Sequence, residues 1–263
     1  MTTFGVSMVK DEADVVAGML RHMADEVDHL IVADNGSTDG TREILDGLAA
    51  ELPLTVVDDP DRAYYQSIKM SALAEVAANM GAVWIVPHDA DELWLAPLRI
   101  RDTLADLDCD IAEAVMFNHL STSIDPSGPD PFRTMRWRQR QPGVLAKVAF
   151  RWQPGAVIHQ GNHGVTLPAG GARKQVLEIR HFPARSPAQF AGKAINGAEA
   201  YRCTDLPDEQ GAHWRAYGRL YEQFGRAGLE DVFRAHWWYL SPVDAGLVED
   251  PAPYLRWHDP DHG

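Results

Sequence analysis

Four short apolar runs, each emptying into carboxylates and separated by amphipathic stretches, constrain this chain more than any other feature. The runs are Phe4–Val9, His29–Ala33, Leu54–Val57 and Ala82–Val86. Between them, Val15, Val16, Met19, Leu20 and Met23 recur at helical spacing, as do Ile44, Leu45 and Leu48. A third helix is expected over about 64–80, with Ile68, Ala72, Leu73, Val76 and Met80 on one face. Buried strands alternating with helices predict an α/β fold with a mostly parallel sheet and helices on both faces. In such a sheet the ligand crevice lies beyond the carboxyl ends of the strands. The polar segments found there are Lys10-Asp11-Glu12, Asp34-Asn35-Gly36, Asp58-Asp59 and His88-Asp89-Ala90-Asp91-Glu92, more acid than capping alone requires.

Charge and composition narrow the partners. With 24 basic and 38 acidic residues the net charge is −14. A chain this acidic repels phosphate backbones unless a basic patch or bound cation intervenes. The densest basic stretch, Arg133 to Arg140, holds only four arginines, so nucleic acid is not an expected partner. No apolar run is long enough for a transmembrane helix, and the N-terminus lacks the pattern of a signal peptide. A cytoplasmic protein is the expectation. Cys109 and Cys203 fit no zinc spacing and read as reduced thiols.

The middle third changes to β patterns at about 111–119, 144–152, 156–167 and 175–182, a mixed or antiparallel extension of the sheet. A Pro/Gly/Ser-rich loop runs from Ser121 to Pro131. The last third is helical. Ser186-Pro187-Ala188-Gln189 places Ser at the N-cap, Pro at N1 and Gln at N3, a strong helix start. Further helices are expected over 210–227 and 229–239, followed by a loosely held tail, 251–263.

Two segments carry chemistry. After the fourth strand, Asp89 and Asp91 stand two apart; in extended backbone both point to one side. Such a pair suits a hard divalent cation with positions left open for a diphosphate. After the second strand, Asp34-Asn35-Gly36-Ser37-Thr38-Asp39-Gly40-Thr41 is a tight turn into a helix, with Asp34 placed to accept a hydrogen bond from a base N–H. Each alone is also what an acidic turn or a capped loop looks like.

Taken together, in this order and spacing, they resemble the family 2 glycosyltransferases with the GT-A fold. Val6 to Ala13 and Gln66-Ser67-Ile68-Lys69 match the same pattern, well over about 4–95 and more weakly to about 200. The resemblance implies a glycosyltransferase domain over 1–200, with a nucleotide-binding half at 1–98 and an acceptor-side half at 99–185. Residues 186–263 then form a C-terminal helical extension. It also implies a nucleoside diphosphate sugar as donor, an acceptor hydroxyl on a saccharide, lipid-linked or small molecule, and inversion at the anomeric carbon. By position, Ser7, Val9, Lys10, Asp34 and Lys69 would hold the nucleotide, and Asp89 the ribose or donor sugar. Asp91 would be the principal ligand of Mn²⁺ or Mg²⁺, with Asp89 beside it and His181 as a further ligand. The sequence departs from the family at the catalytic base. His163 is the first candidate there and Glu92 the second, since either residue type can take an acceptor proton.

Two rival functions remain at this stage. A sugar-phosphate nucleotidyltransferase on a similar sheet wants a Gly-rich phosphate loop after the first strand, which Met8 to Glu12 is not. A sugar-nucleotide-binding module without transfer activity would need no intact Asp89, Asp91 and His181.

Overall fold

The structure, a computed structural model, describes residues 1–250; the expected tail at 251–263 lies outside the described residues. The first half alternates strand and helix: β1 Thr3–Val9, α1 Val16–Glu26, β2 His29–Asp34, α2 Thr41–Ala49, β3 Leu54–Asp58, α3 Gln66–Asn79 and β4 Trp84–Pro87. After a turn come β5 Glu92–Leu95, α4 Ile100–Ala105, β6 Ile111–Thr122, α5 Pro131–Thr134, β7 Trp137–Arg138 and β8 Lys147–Arg151. A small hairpin of β9 Val157–Ile158 and β10 Val165–Thr166 precedes β11 Arg173–His181. Helices α6 Pro187–Arg202 and α7 Ala212–His236 follow, then β12 Trp238–Tyr239 and β13 Val248–Glu249.

The main sheet runs in the order β13-β7-β6-β8-β4-β1-β2-β3. β1 pairs in parallel with β2 and β4, and β2 with β3, as the alternating pattern predicts. β8 is antiparallel to β4 and β6, so the sheet becomes mixed where the β patterns of the middle third begin. Register aligns the exits: Val9 lies opposite Asp34, and Asp34 opposite Asp58. β11 branches off, parallel to β6 and antiparallel to β5, with His181 opposite both Glu92 and Asn118.

Apolar clusters fill both faces. One joins Val16, Met19, Leu20 and Met23 of α1 with Leu45 and Leu48 of α2 and Ile100 and Leu104 of α4. The other joins Phe4, Val6 and Ile31 with Met70, Leu73, Ala74 and Ala77 of α3. That second face corrects the sequence expectation. Ile68, Val76 and Met80 are exposed, and the inner stripe is made by Met70, Leu73 and two alanines. Small side chains let α3 lie close to β1, and the larger apolar residues are left outside. Residues 212–236 are two helical segments, together labelled α7, broken at Gly225 (φ 64°, ψ −165°), a few residues before the break expected at about 228. The α6 start is as read: Ser186 Oγ accepts from Gln189 N at 3.1 Å.

Candidate active site

A cavity of about 740 Å³ opens beyond the exits of β1, β2 and β4 and is covered by α6 and α7. That is within the ordinary range for a small-molecule site. Of the residues singled out in the sequence, Val9, Lys10, Asp89, Asp91, Glu92, His163 and His181 all line it. Ser7, Asp34 and Lys69 do not. Ser7 is buried inside β1. Asp34 is buried and orders its turn, Oδ1 accepting from Ser37 N at 3.1 Å. Lys69 donates to Asp59 Oδ2 at 2.7 Å, and Asp59 in turn holds Asn35 Nδ2 at 2.8 Å. Lys10 Nζ closes the same corner on the carbonyls of Asn35 and Gly36, at 2.9 and 3.0 Å.

Asp89 and Asp91 both line the cavity but meet different partners. β4 ends at Pro87, and the chain turns through 88–91 into β5. Asp89 therefore faces Lys147 on β8 and accepts from Asn162 Nδ2 at 2.9 Å. Asp91 faces another group: Lys193 of α6, His181 Nε2 at 3.6 Å and Arg185 at 3.9 Å. Among the described residues, Asp91, Glu92 and His181 form a group able to converge on a metal ion, with ligand atoms within 4.8 Å of one another.

His181 is oriented by its neighbours. Its Nδ1 lies 2.7 Å from Asn118 Oδ1, and Asn118 spends its own N–H on Gln139 Oε1 at 3.2 Å. Its Nε2 lies 3.6 Å from Asp91 Oδ2. Imidazole together with carboxylates is a donor set suited to Mn²⁺. Around the turn, Asp89 and Glu92 meet Lys147, and Glu12, Asp14 and Asp91 meet Arg185 and Lys193.

Burial sets the remaining chemistry. Burial pushes the Asp91 carboxyl up, but Lys193, His181 and Arg185 outweigh it and hold it well below the usual range. For Glu12 and Glu92 burial prevails over their cations and the carboxyls move up. Glu92 is fully buried with both oxygens committed: Oε2 accepts from Asp89 N at 3.1 Å and Trp94 Nε1 at 3.0 Å, and Oε1 meets Lys147. His163 is half-buried and its Nδ1 sits 3.2 Å from the Ala146 carbonyl, which leaves Nε2 as the basic nitrogen. Burial and nearby Lys147 lower its pKa, so it is neutral at neutral pH.

Sequence reasoning missed Lys147 and Lys193 as members of the site. Both are charge partners of the acidic turn from distant elements, and no local pattern marks them. Arg185 stood next to a recognised helix cap, but its clasp on Glu12 and Asp14 is visible only in three dimensions.

The family described as glycosyl transferase family 2 matches residues 6–161, from β1 through the turn after β9. No curated protein matches the chain. Among solved structures, S. aureus TarS 1-349 in complex with UDP-GlcNAc is similar at 12% identity and a TM-score of 0.45, covering 90% of this chain and 76% of that one. The same TarS fragment in complex with UDP matches at 12% identity and a TM-score of 0.42, over 90% and 75% of the two chains. The family match spans more than half of the sequence and includes every strand exit described above: the chain belongs to glycosyl transferase family 2.

Proposed function

We propose that this glycosyltransferase moves a sugar from a nucleoside diphosphate sugar to an acceptor hydroxyl, with inversion, using Mn²⁺ or Mg²⁺. The observation that carries the reading is the convergence of Asp91, Glu92 and His181, with Asp91 Oδ2 and His181 Nε2 3.6 Å apart, on the wall of the strand-exit cavity. Family membership supports an activated donor, and the TarS complexes make UDP-sugars the first donors to try.

Asp91 and His181 would hold the metal, with Glu92 within reach of the same site. When bound, the ion offsets charge growing on the leaving diphosphate in the transition state, where stabilisation accelerates the reaction. The nucleotide lies over the β1 and β2 exits, against Val9 and Lys10. Ser7, Asp34 and Lys69 act there by shaping the strand, the turn and the Asp59 corner. Asp89, held by Lys147 and Asn162, faces the ribose or donor sugar. His163 Nε2 takes the acceptor proton, and Glu92, whose oxygens are already committed, fixes the acidic turn. Residues 1–200 form the transferase domain and the helices after 186 its cover.

A thermal-shift screen of nucleotide sugars with Mn²⁺ tests the binding half of this reading, because a ligand that binds only the folded state raises the melting temperature. A matching nucleoside diphosphate sugar is expected to shift the wild type and to lose its Mn²⁺-dependent shift in Asp91→Asn. No shift with any nucleotide sugar would refute it.

A further inference from the structure

Lys193 occupies the position a metal ligand set should leave open. Its ammonium contacts Asp91 Oδ2, the same oxygen that faces His181 Nε2 at 3.6 Å. A divalent ion bonded to both atoms at about 2.0–2.2 Å would stand within a few ångströms of the ammonium. Two like charges that close, in a site where Asp91 is buried, repel strongly. Lys193 has a second place to go: Glu12 Oε1 lies 3.6 Å from Nζ, and the side chain lines the open cavity. Arg185 cannot substitute, because its guanidinium is clasped by Glu12 and Asp14 and stands 3.9 Å from Asp91. Lys193 sits on α6, outside the family-matched segment 6–161.

We propose that Lys193 is a built-in counter-ion of Asp91, which a divalent cation displaces toward Glu12 and the cavity as it loads. This inference rests on the metal reading above. Lys193 neutralises the buried carboxylate before loading and sets a threshold against it, so metal affinity is weaker than the ligand set alone would give.

The test is a Mn²⁺ titration of the full chain, following the free-ion EPR signal, on wild type, Lys193→Met, Lys193→Arg and Asp91→Asn. Lys193→Met is expected to bind Mn²⁺ at least about tenfold more tightly than wild type, since a competing charge has been removed. Lys193→Arg, which keeps the charge, is expected to stay near wild type, and Asp91→Asn to lose binding. A residue with a merely structural role would not tighten metal binding when removed. Equal or weaker binding by Lys193→Met overturns the counter-ion role and leaves the metal reading standing. Absence of binding in wild type and variant alike overturns both. Lys193→Gln replaces the Met variant if the latter does not fold, with the same expected direction.

Discussion

Lys147→Met asks how much the acidic turn depends on one buried ammonium. The Lys147 side chain is 3% exposed and lies between Glu92, 0% exposed, and Asp89, 31% exposed. Breaking a buried ion pair by removing one partner costs about 3–5 kcal/mol, because the other charge stays buried. The Glu92 side carries most of that; the Asp89 pair is partly screened by solvent and adds about 1 kcal/mol or less. A loss of about 3–5 kcal/mol at pH 8 is therefore expected, a large part of a typical domain's stability. The loss should also depend on pH. Burial already raises the Glu92 carboxyl, and Lys147 opposes that shift. Without Lys147 the native state of the variant binds a proton on Glu92 at higher pH than the unfolded chain does. Its stability then rises relative to wild type as pH falls from 8 toward 5. Glu92→Gln added to Lys147→Met should recover much of the loss, because the amide oxygen still accepts from Trp94 Nε1. Urea unfolding followed by tryptophan fluorescence at pH 8 and pH 5 reads the wild type and both variants. A loss below about 1 kcal/mol, or one equal at both pH values, would refute the argument that Lys147 compensates a buried Glu92.

Other outcomes follow from the same geometry. Gly5→Ala would place a Cβ 2.7 Å from Leu30 Cδ2 and 2.9 Å from His88 Nε2, both buried, so it should cost about 1–3 kcal/mol in urea unfolding. Burial lowers His88 to about 3 and His119 to about 4, so both are neutral in the native state while the unfolded chain protonates near 6.5. The unfolded state then binds more protons, and stability should fall as pH drops below about 6.5, by up to about 1.4 kcal/mol per unit for each histidine. A urea midpoint unchanged between pH 7 and pH 5 would contradict this. His163→Ala should slow transfer by about 10²–10⁴ while donor binding stays constant; wild-type turnover would remove His163 from the base role.

The alternating half of the fold is legible because β1, β2 and β4 are buried on both faces and, with the half-buried edge strand β3, read as apolar runs, while α1 and α2 keep clear apolar stripes. α3 is not legible in the same way. It is apolar on several sides, and alanine at 74 and 77 carries no hydrophobic signal strong enough to outvote exposed Ile68 and Val76. Contact with β1 selects the face. At the site, the acidic turn and His181 are visible as residue types at strand ends. The pairing that defines the chemistry is not, because Asp89 meets Lys147 across 58 residues and Asp91 meets Lys193 across 102. The turn after Pro87, which sends Asp89 and Asp91 to different partners, also defeats the simple two-residue periodicity of a strand.

The central claim is metal-assisted cleavage of a nucleoside diphosphate sugar at Asp91. It is tested most directly by measuring nucleoside diphosphate release from a panel of nucleotide sugars, starting with UDP-sugars, with and without acceptor hydroxyls. Wild type and Asp91→Asn are compared in Mn²⁺ and in excess chelator. Release by wild type in Mn²⁺ alone, absent in chelator and in a folded Asp91→Asn variant, is the predicted result. Full turnover in excess chelator, or in Asp91→Asn, would contradict it.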